Sequence, residues 1–246
     1  MRKNLLVTGA SAGIGAAAAR LAAENGYDIA LNYLSDHDGA KATAQAAKDA
    51  GAQVVLCQGD VASPEGIAQI FAQIDAHFPR LDALVNNAGI VDVAVPVTDF
   101  THERLRRMFD INVIGAMLVA KETVRRMLAH GQGGAVVNIS SVAARLGSAN
   151  QYVDYAASKA AIDAFTKGLA DEVATQNIRV NAVRPGLIKT EIHAKGGQPG
   201  RAERLAPNVP MQRTGTPIEI AEAVLYLLSD QASYVTGTTL DVSGGR

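Results

Sequence analysis

The 246-residue chain has no tryptophan, and aromatic residues make up 4% of it, which argues against a carbohydrate-stacking surface or a platform for single-stranded nucleic acid. Cysteine is nearly absent too. Cys57 stands alone, so no internal disulfide can form, and its apolar surroundings (VVLC) predict a packing residue rather than a redox centre. The five histidines, His37, His77, His102, His130 and His193, are dispersed singly, without the spacing of a metal site. Charge of one sign is lacking as well: the net value is -1 and the basic residues are scattered, leaving no footprint for DNA or RNA. No apolar run approaches the length of a membrane span. The start, MRKNLLVTGASAGIGAAAARLAA, has the charged opening and apolar body of a secretory leader, but three glycines interrupt it. A soluble chain in the cytoplasm is the expectation.

Hydrophobic residues amount to 48%, enough for a substantial core, and they are arranged as short β-rich runs alternating with helical patterns. The runs are Leu5 to Thr8, Asp28 to Tyr33, Gln53 to Gln58, Ala83 to Asn86, Ala135 to Ser140, Arg179 to Val183 and Thr239 to Val242. Ser63-Pro64-Glu65 opens one of the helices with a cap residue and a first-turn proline. Apolar strands separated by helices predict a single α/β domain over residues 1–246, a doubly wound parallel sheet with helices on both faces. The least regular stretch, residues 189–216, is rich in glycine and proline and is expected to be a long substrate loop.

Three stretches carry chemistry. In TGASAGIG, glycines 9, 13 and 15 let the chain turn sharply between a strand and a helix whose free N–H groups suit a pyrophosphate. The spacing is G-x-x-x-G-x-G, and a ligand-free turn would read the same way. NNAG, Asn86 to Gly89, ends the fourth strand, on the side where open α/β sheets bind ligands. In YVDYAASK, Tyr155 precedes Lys159 by four residues and Tyr152 by seven. Residues i and i+4 are helix-surface neighbours, whereas seven residues span roughly 10 Å of rise, so Tyr155 is the phenol that shares a site with the ammonium. A tyrosine near its ordinary pKa of about 10 is a poor base at neutrality. Lowering it by about 3 pKa units requires roughly 4 kcal/mol of differential interaction, to which a neighbouring lysine is expected to contribute. Tyr152 is read as packing or as a cleft wall.

TGASAGIG, NNAG, ISS, YAASK and RPGLIKT, in this order, resemble the signature set of the short-chain dehydrogenase/reductase family, and the likeness runs from Leu5 to the terminal DVSGG. Within the family the chain is similar to bacterial glucose 1-dehydrogenase-like members, notably in RLGS, YVDYAASK and HAKGGQPGR, which fixes no substrate. The resemblance implies a Rossmann-type fold, a homotetramer, and hydride transfer between a nicotinamide cofactor and a carbonyl or alcohol carbon. It implies Tyr155 as acid/base with Lys159, Ser141 as the hydroxyl that binds the substrate oxygen (Ser140 being the alternative), and Asn112 as the holder of a water in a proton relay. The implied cofactor set is Gly9, Ser11, Ala12, Gly13, Ile14 and Gly15 from the first turn, then Asn32, Tyr33, Leu34 and Ser35. Asp60 and Val61 resemble the pair at the adenine. Asn87, Ala88 and Gly89 follow, then Tyr155 and Lys159, then Pro185 and Gly186, with Ile188 and Thr190 resembling the pair at the carboxamide.

Tyr33 occupies the position where an acid would select NAD, so NADP(H) is expected to be preferred over NAD(H), although Ala12 replaces the arginine of many NADP-preferring relatives and Asp36 stands close by. The expected activity is that of an NADP(H)-dependent carbonyl reductase or alcohol or sugar dehydrogenase on a small-molecule substrate. A β-ketoacyl thioester reductase is the alternative, with Arg125 and Arg126 either meeting an acyl carrier protein or forming a solvated helix face. A dinucleotide-binding redox sensor without turnover is the alternative of another class.

Overall fold

The computed structural model describes residues 2–190 and 192–246, without the side chains at positions 193 and 195. His193, one of the singly placed histidines, therefore lies outside the described side chains. The chain runs through β1 (Lys3–Val7), α1 (Gly13–Glu24), β2 (Tyr27–Tyr33), α2 (His37–Asp49), β3 (Val54–Gln58), α3 (Pro64–Asp75) and β4 (Ala83–Asn86). It continues through α4 (His102–Phe109), a π turn (Asp110–Gly115), α5 (Ala116–His130), β5 (Gly134–Ile139), α6 (Ala143–Leu146), α7 (Val153–Val173) and β6 (Ile178–Pro185). The last elements are α8 (Ile192–Lys195), α9 (Arg201–Leu205), α10 (Pro217–Leu228) and β7 (Thr239–Val242).

All seven strands are parallel, in the order β3-β2-β1-β4-β5-β6-β7. The strand period of two sorts the core. Leu5 and Val7 of β1 face the alanine-rich side of α1, with α2 and α10, while Leu6 faces α3, α5 and α7. Both faces are covered, as the near-continuous apolar strands require. On α1, residues Ala16, Ala17, Ala18, Ala19, Ala22 and Ala23 are all buried, and their small side chains leave room for neighbouring helices. Ser63 caps α3 by accepting from Gly66 N at 3.0 Å, with Pro64 in the first turn, as its sequence predicts.

The 189–216 stretch departs from the expected irregular loop. Its ends are pinned by an Ile188–Gly215 bridge, with Lys189 N donating to Gly215 O at 3.0 Å and Gly215 N to Leu187 O at 2.9 Å. Between them lie α8 and α9, packed around Leu187, Ala202, Leu205 and Val209. A few buried apolar side chains thus give the segment a small core of its own. Among the described residues no helix is long and apolar enough to cross a membrane.

Candidate active site

The strand order reverses between β1 and β4, and the turns after these strands border one crevice there. The two turns are stitched together. Thr8 is buried, and its Oγ1 accepts from Asn87 N and Ala88 N, each at 2.9 Å. Asn87 Nδ2 returns the contact to Thr8 O at 2.9 Å and Gly9 O at 3.1 Å. Gly9 and Gly13 have φ of +61° and +57°, the left-handed region that glycine enters without strain. Gly15 has a different reason to be glycine: a Cβ there would stand 2.5 Å from both Asn87 Nδ2 and Gly9 O.

Helices α2, α3, α4 and α10 each have a side-chain cap, from Asp36, Ser63, Thr101 and Thr216. Helix α1 has none, and no acid lies in its first turn, so its N–H groups face the crevice unneutralised. An uncapped helix end beneath a left-handed glycine turn fits a pyrophosphate. The residues present therefore fit a dinucleotide.

The crevice continues as a cavity of about 450 Å³. Every residue the sequence singled out for the cofactor borders it except Gly15, which is a packing glycine beneath the turn rather than a lining residue. Asn32 borders it, but its amide is committed to the scaffold, accepting from Gly9 N at 3.3 Å and donating to Cys57 O and Gly59 O at 3.0 and 3.1 Å. Tyr33 Oη lies 3.3 Å from His37 Nδ1. The Asp36 carboxylate accepts from Gly39 N at 3.0 Å, and Asp60 accepts from Ala62 N at 2.8 Å. Cys57 is fully buried, and burial pushes its thiol up to about 12.

At the other end, α7 brings Tyr155 and Lys159 to the cavity, with Lys159 Nζ 5.7 Å from the Tyr155 ring centre and donating to Ile139 O at 2.8 Å. Burial dominates both groups. It pushes the lysine down to about 8, against a smaller opposing pull from Asp163, and pushes the Tyr155 phenol above its ordinary value, with the Ser141 hydroxyl acting the other way. In the protein alone, loss of water around the phenolate thus outweighs the Ser141 hydroxyl, whereas the expected lowering rests on the lysine together with a cationic nicotinamide.

The two serines separate. Ser140 is buried and donates to Lys159 O at 3.1 Å, so it braces α7, whereas half-buried Ser141 faces the phenol. Asn112 does not border the cavity. It lies in the π turn behind Gly89, accepting from Ile90 N at 2.8 Å and donating to Ile90 O at 2.9 Å and Ser158 Oγ at 3.1 Å. Tyr152 is both buried and part of the wall, so packing and cleft wall are one role.

Asp154 is fully buried beside Tyr155 and is met by Arg104 Nε at 2.7 Å, a clamp between α4 and α7 that sequence spacing does not reveal. Arg201 and Arg246, from opposite ends of the last quarter of the chain, also reach the cavity unforeseen. Arg126 is engaged by Asp75 and Glu122 at 2.6 and 2.9 Å and lies 4.4 Å over the Phe71 ring, while Arg125 stays exposed beside Glu122.

A family pattern described as enoyl-(acyl carrier protein) reductase matches residues 9–246. The uncharacterized oxidoreductase YgfF of Escherichia coli is 50% identical over 243 residues, 98% of each chain. The chain belongs to the short-chain dehydrogenase/reductase family. A relative named 3beta-hydroxysteroid dehydrogenase 1, from Eggerthella lenta, shares 39% identity over 99% of this chain and 93% of its own. The crystal structure of a short-chain type dehydrogenase/reductase from Mycobacterium marinum superposes with a TM-score of 0.93 at 33% identity, covering 99% of this chain and 94% of that one. Membership of the short-chain dehydrogenase/reductase family makes the protein an oxidoreductase acting on CH–OH groups with an NAD(P)(H) cofactor.

Proposed function

We propose that this enzyme reduces a ketone or aldehyde, or oxidises the matching alcohol, with Tyr155 as acid/base and NADP(H) preferred. The observation that carries the reading is the meeting of Tyr155, Lys159 and Ser141 in the same cavity as the uncapped α1 turn. When bound, the nicotinamide supplies or accepts the hydride and, oxidised, adds a positive charge.

The chain's own residues handle the oxygen. Ser141 holds the substrate oxygen beside the phenol. In reduction the electron pair of the C=O bond moves to that oxygen, which takes the Tyr155 proton. A phenol pushed upward by burial keeps that proton at neutral pH. Lys159, at about 8 and anchored on Ile139 O, is mostly charged there and adjacent for reprotonation. The amide of Asn112 is committed to Ile90 and Ser158, and by family likeness the residue holds a water in a relay to the lysine. The relay delivers the proton from solvent to Lys159 and on to Tyr155.

Support for NADP(H) is the phenol of Tyr33 beside His37 where a carboxylate would repel a 2′-phosphate, while Asp36 is occupied as a helix cap. A homotetramer accompanies the reading by family likeness, and a cytoplasmic location remains its default. The carrier-protein alternative loses ground because Arg126 is tied down by two carboxylates and Phe71.

The test is consumption of NADPH and NADH across a panel of aldehydes, ketones and sugars, with Tyr155→Phe beside the wild type. Turnover lost in the variant and faster with NADPH supports the whole reading. A preference for NADH rejects the role given to Tyr33 and leaves the acid/base intact. Acetoacetyl thioester reduced as fast as the best free ketone favours the carrier-protein alternative.

A further inference from the structure

The outer wall of the cavity is cationic in a way that the acid/base machinery does not use. Arg201, at the start of α9, lies with its Cζ 5.0 Å over the ring of Tyr152, and both residues border the cavity. Its Nη1 donates to Gln198 Oε1 at 2.7 Å, and Arg204 Nη2 donates to the same oxygen at 3.1 Å. Two guanidinium groups thus share one neutral acceptor. Arg246 also borders the cavity, its main-chain oxygen held by Arg145 Nη2 at 3.1 Å and by Ser243 Oγ at 3.0 Å. Partial burial is the main influence disfavouring the charge on Arg201; the phenol of Tyr152 acts the other way, and the charges of Arg246 and Arg204 disfavour it further. Among the described residues no carboxylate lies within ion-pair distance of Arg201, Arg204 or Arg246. Asp241, the acid nearest the chain end that is engaged, is shared by Arg145 at 2.8 Å and Arg184 at 3.4 Å.

A half-buried guanidinium costs desolvation and, here, repulsion from its neighbours, with no carboxylate of the described residues paired to it to offset either. A ligand anion would offset both, and arginine presents a planar fork that matches a carboxylate. We infer that the substrate of this enzyme is a keto acid or hydroxy acid whose carboxylate is held by Arg201, with Arg246, at the outer end of the cavity. The inference rests on the acid/base reading and names its substrate class.

Position sets the length of that substrate. Tyr152 stands at the N-cap of α7, about one turn before Tyr155, and Arg201 packs on its ring rather than on the reacting phenol. The carboxylate is therefore separated from the reacting carbon by several bonds, which disfavours a 2-keto acid. Ala143, Leu146 and Tyr152 border the same cavity and offer it apolar surface suited to a short aliphatic chain.

The experiment compares 4-oxopentanoate and 5-oxohexanoate with their methyl esters, using wild type, Arg201→Met and Arg201→Lys. Both kcat/KM and, by titration of the protein with NADP+ present, Kd are read. A charged hydrogen-bonded contact predicts that at least one acid is favoured over its ester by about 10-fold or more. Arg201→Met removes the preference, so that acid and ester come to the same level. Arg201→Lys keeps part of it, and added salt weakens it. Acid and ester equal in the wild type, or a preference that survives Arg201→Met, overturns the inference. If the esters turn over and the acids gain nothing, the substrate class falls while the acid/base reading stands. If neither turns over, the acid/base reading is damaged, and the titration still decides the anion site by the same criterion.

Discussion

Lys159 carries a stability signature that follows from its burial. Its pKa falls from an ordinary 10.5 to about 8, so between these values the unfolded chain binds more protons than the folded one. The penalty is fully present below about pH 8 and disappears as pH rises toward 10.5, amounting to roughly 3 kcal/mol. The stability of wild type relative to Lys159→Met should therefore rise across this window in denaturant unfolding of the cofactor-free protein. A difference that stays flat with pH contradicts the burial account. Gly15 gives a second residue-level expectation. A Cβ 2.5 Å from Asn87 and Gly9 forces the two turns apart, so Gly15→Ala should lower both thermal stability and dinucleotide affinity. The pairing of Tyr155 with Lys159 was legible because helix geometry alone makes i and i+4 neighbours. The task of Gly15 was not, because one of the atoms it avoids, Asn87 Nδ2, belongs to a turn more than seventy positions along the chain.

Among the elements, α4 and α7 are joined by a single buried charge pair. Asp154 has no exposed side-chain surface, and Arg104 donates to it at 2.7 Å and to Val93 O at 2.8 Å. Removing one partner leaves an unpaired buried charge. Arg104→Ala should cost about 3–5 kcal/mol in chemical denaturation, and Arg104→Ala combined with Asp154→Asn should recover part of it. An Arg104→Ala loss below about 1 kcal/mol would show that the pair is not fixing the start of α7. The seven strands were readable from their apolar runs, and their ends lie within one or two residues of those runs. Three local features were not. Helices α8 and α9 are 4 and 5 residues long, too short for a helical period to declare itself. The π turn at Asp110–Gly115 has no residue signature of its own; its Gly115 is required because a Cβ would stand 2.4 Å from Val61 O.

At the scale of the molecule, the sheet brings an uncapped helix end and a half-buried tyrosine beside a buried lysine to one crevice, although they lie far apart in the chain. Motif order was enough to foresee that convergence. Arg201 and Arg246 escaped because nothing in the sequence says where the pinned 189–216 segment and the final residues fold back. Two expectations belong to the whole enzyme. Reduction draws its proton from a phenol whose pKa burial raises, so its kcat/KM should stay level through neutrality and fall in alkali, while alcohol oxidation rises with pH. A dehydrogenase rate that falls as pH increases from about 7 to 9 contradicts that assignment. In solution the mass should be four times that of the chain, and a monomeric mass by light scattering rejects the homotetramer.

The most direct measurement follows a label. The best ketone from the panel is incubated with NADPH carrying deuterium at the transferring position of the nicotinamide, and the product alcohol is weighed by mass spectrometry for wild type and Tyr155→Phe. Hydride transfer with Tyr155 as proton donor predicts one deuterium on the carbinol carbon, formed about 100-fold or more slowly by the variant, with NADPH affinity unchanged. Product without deuterium, or labelled product formed by Tyr155→Phe at the wild-type rate, contradicts it.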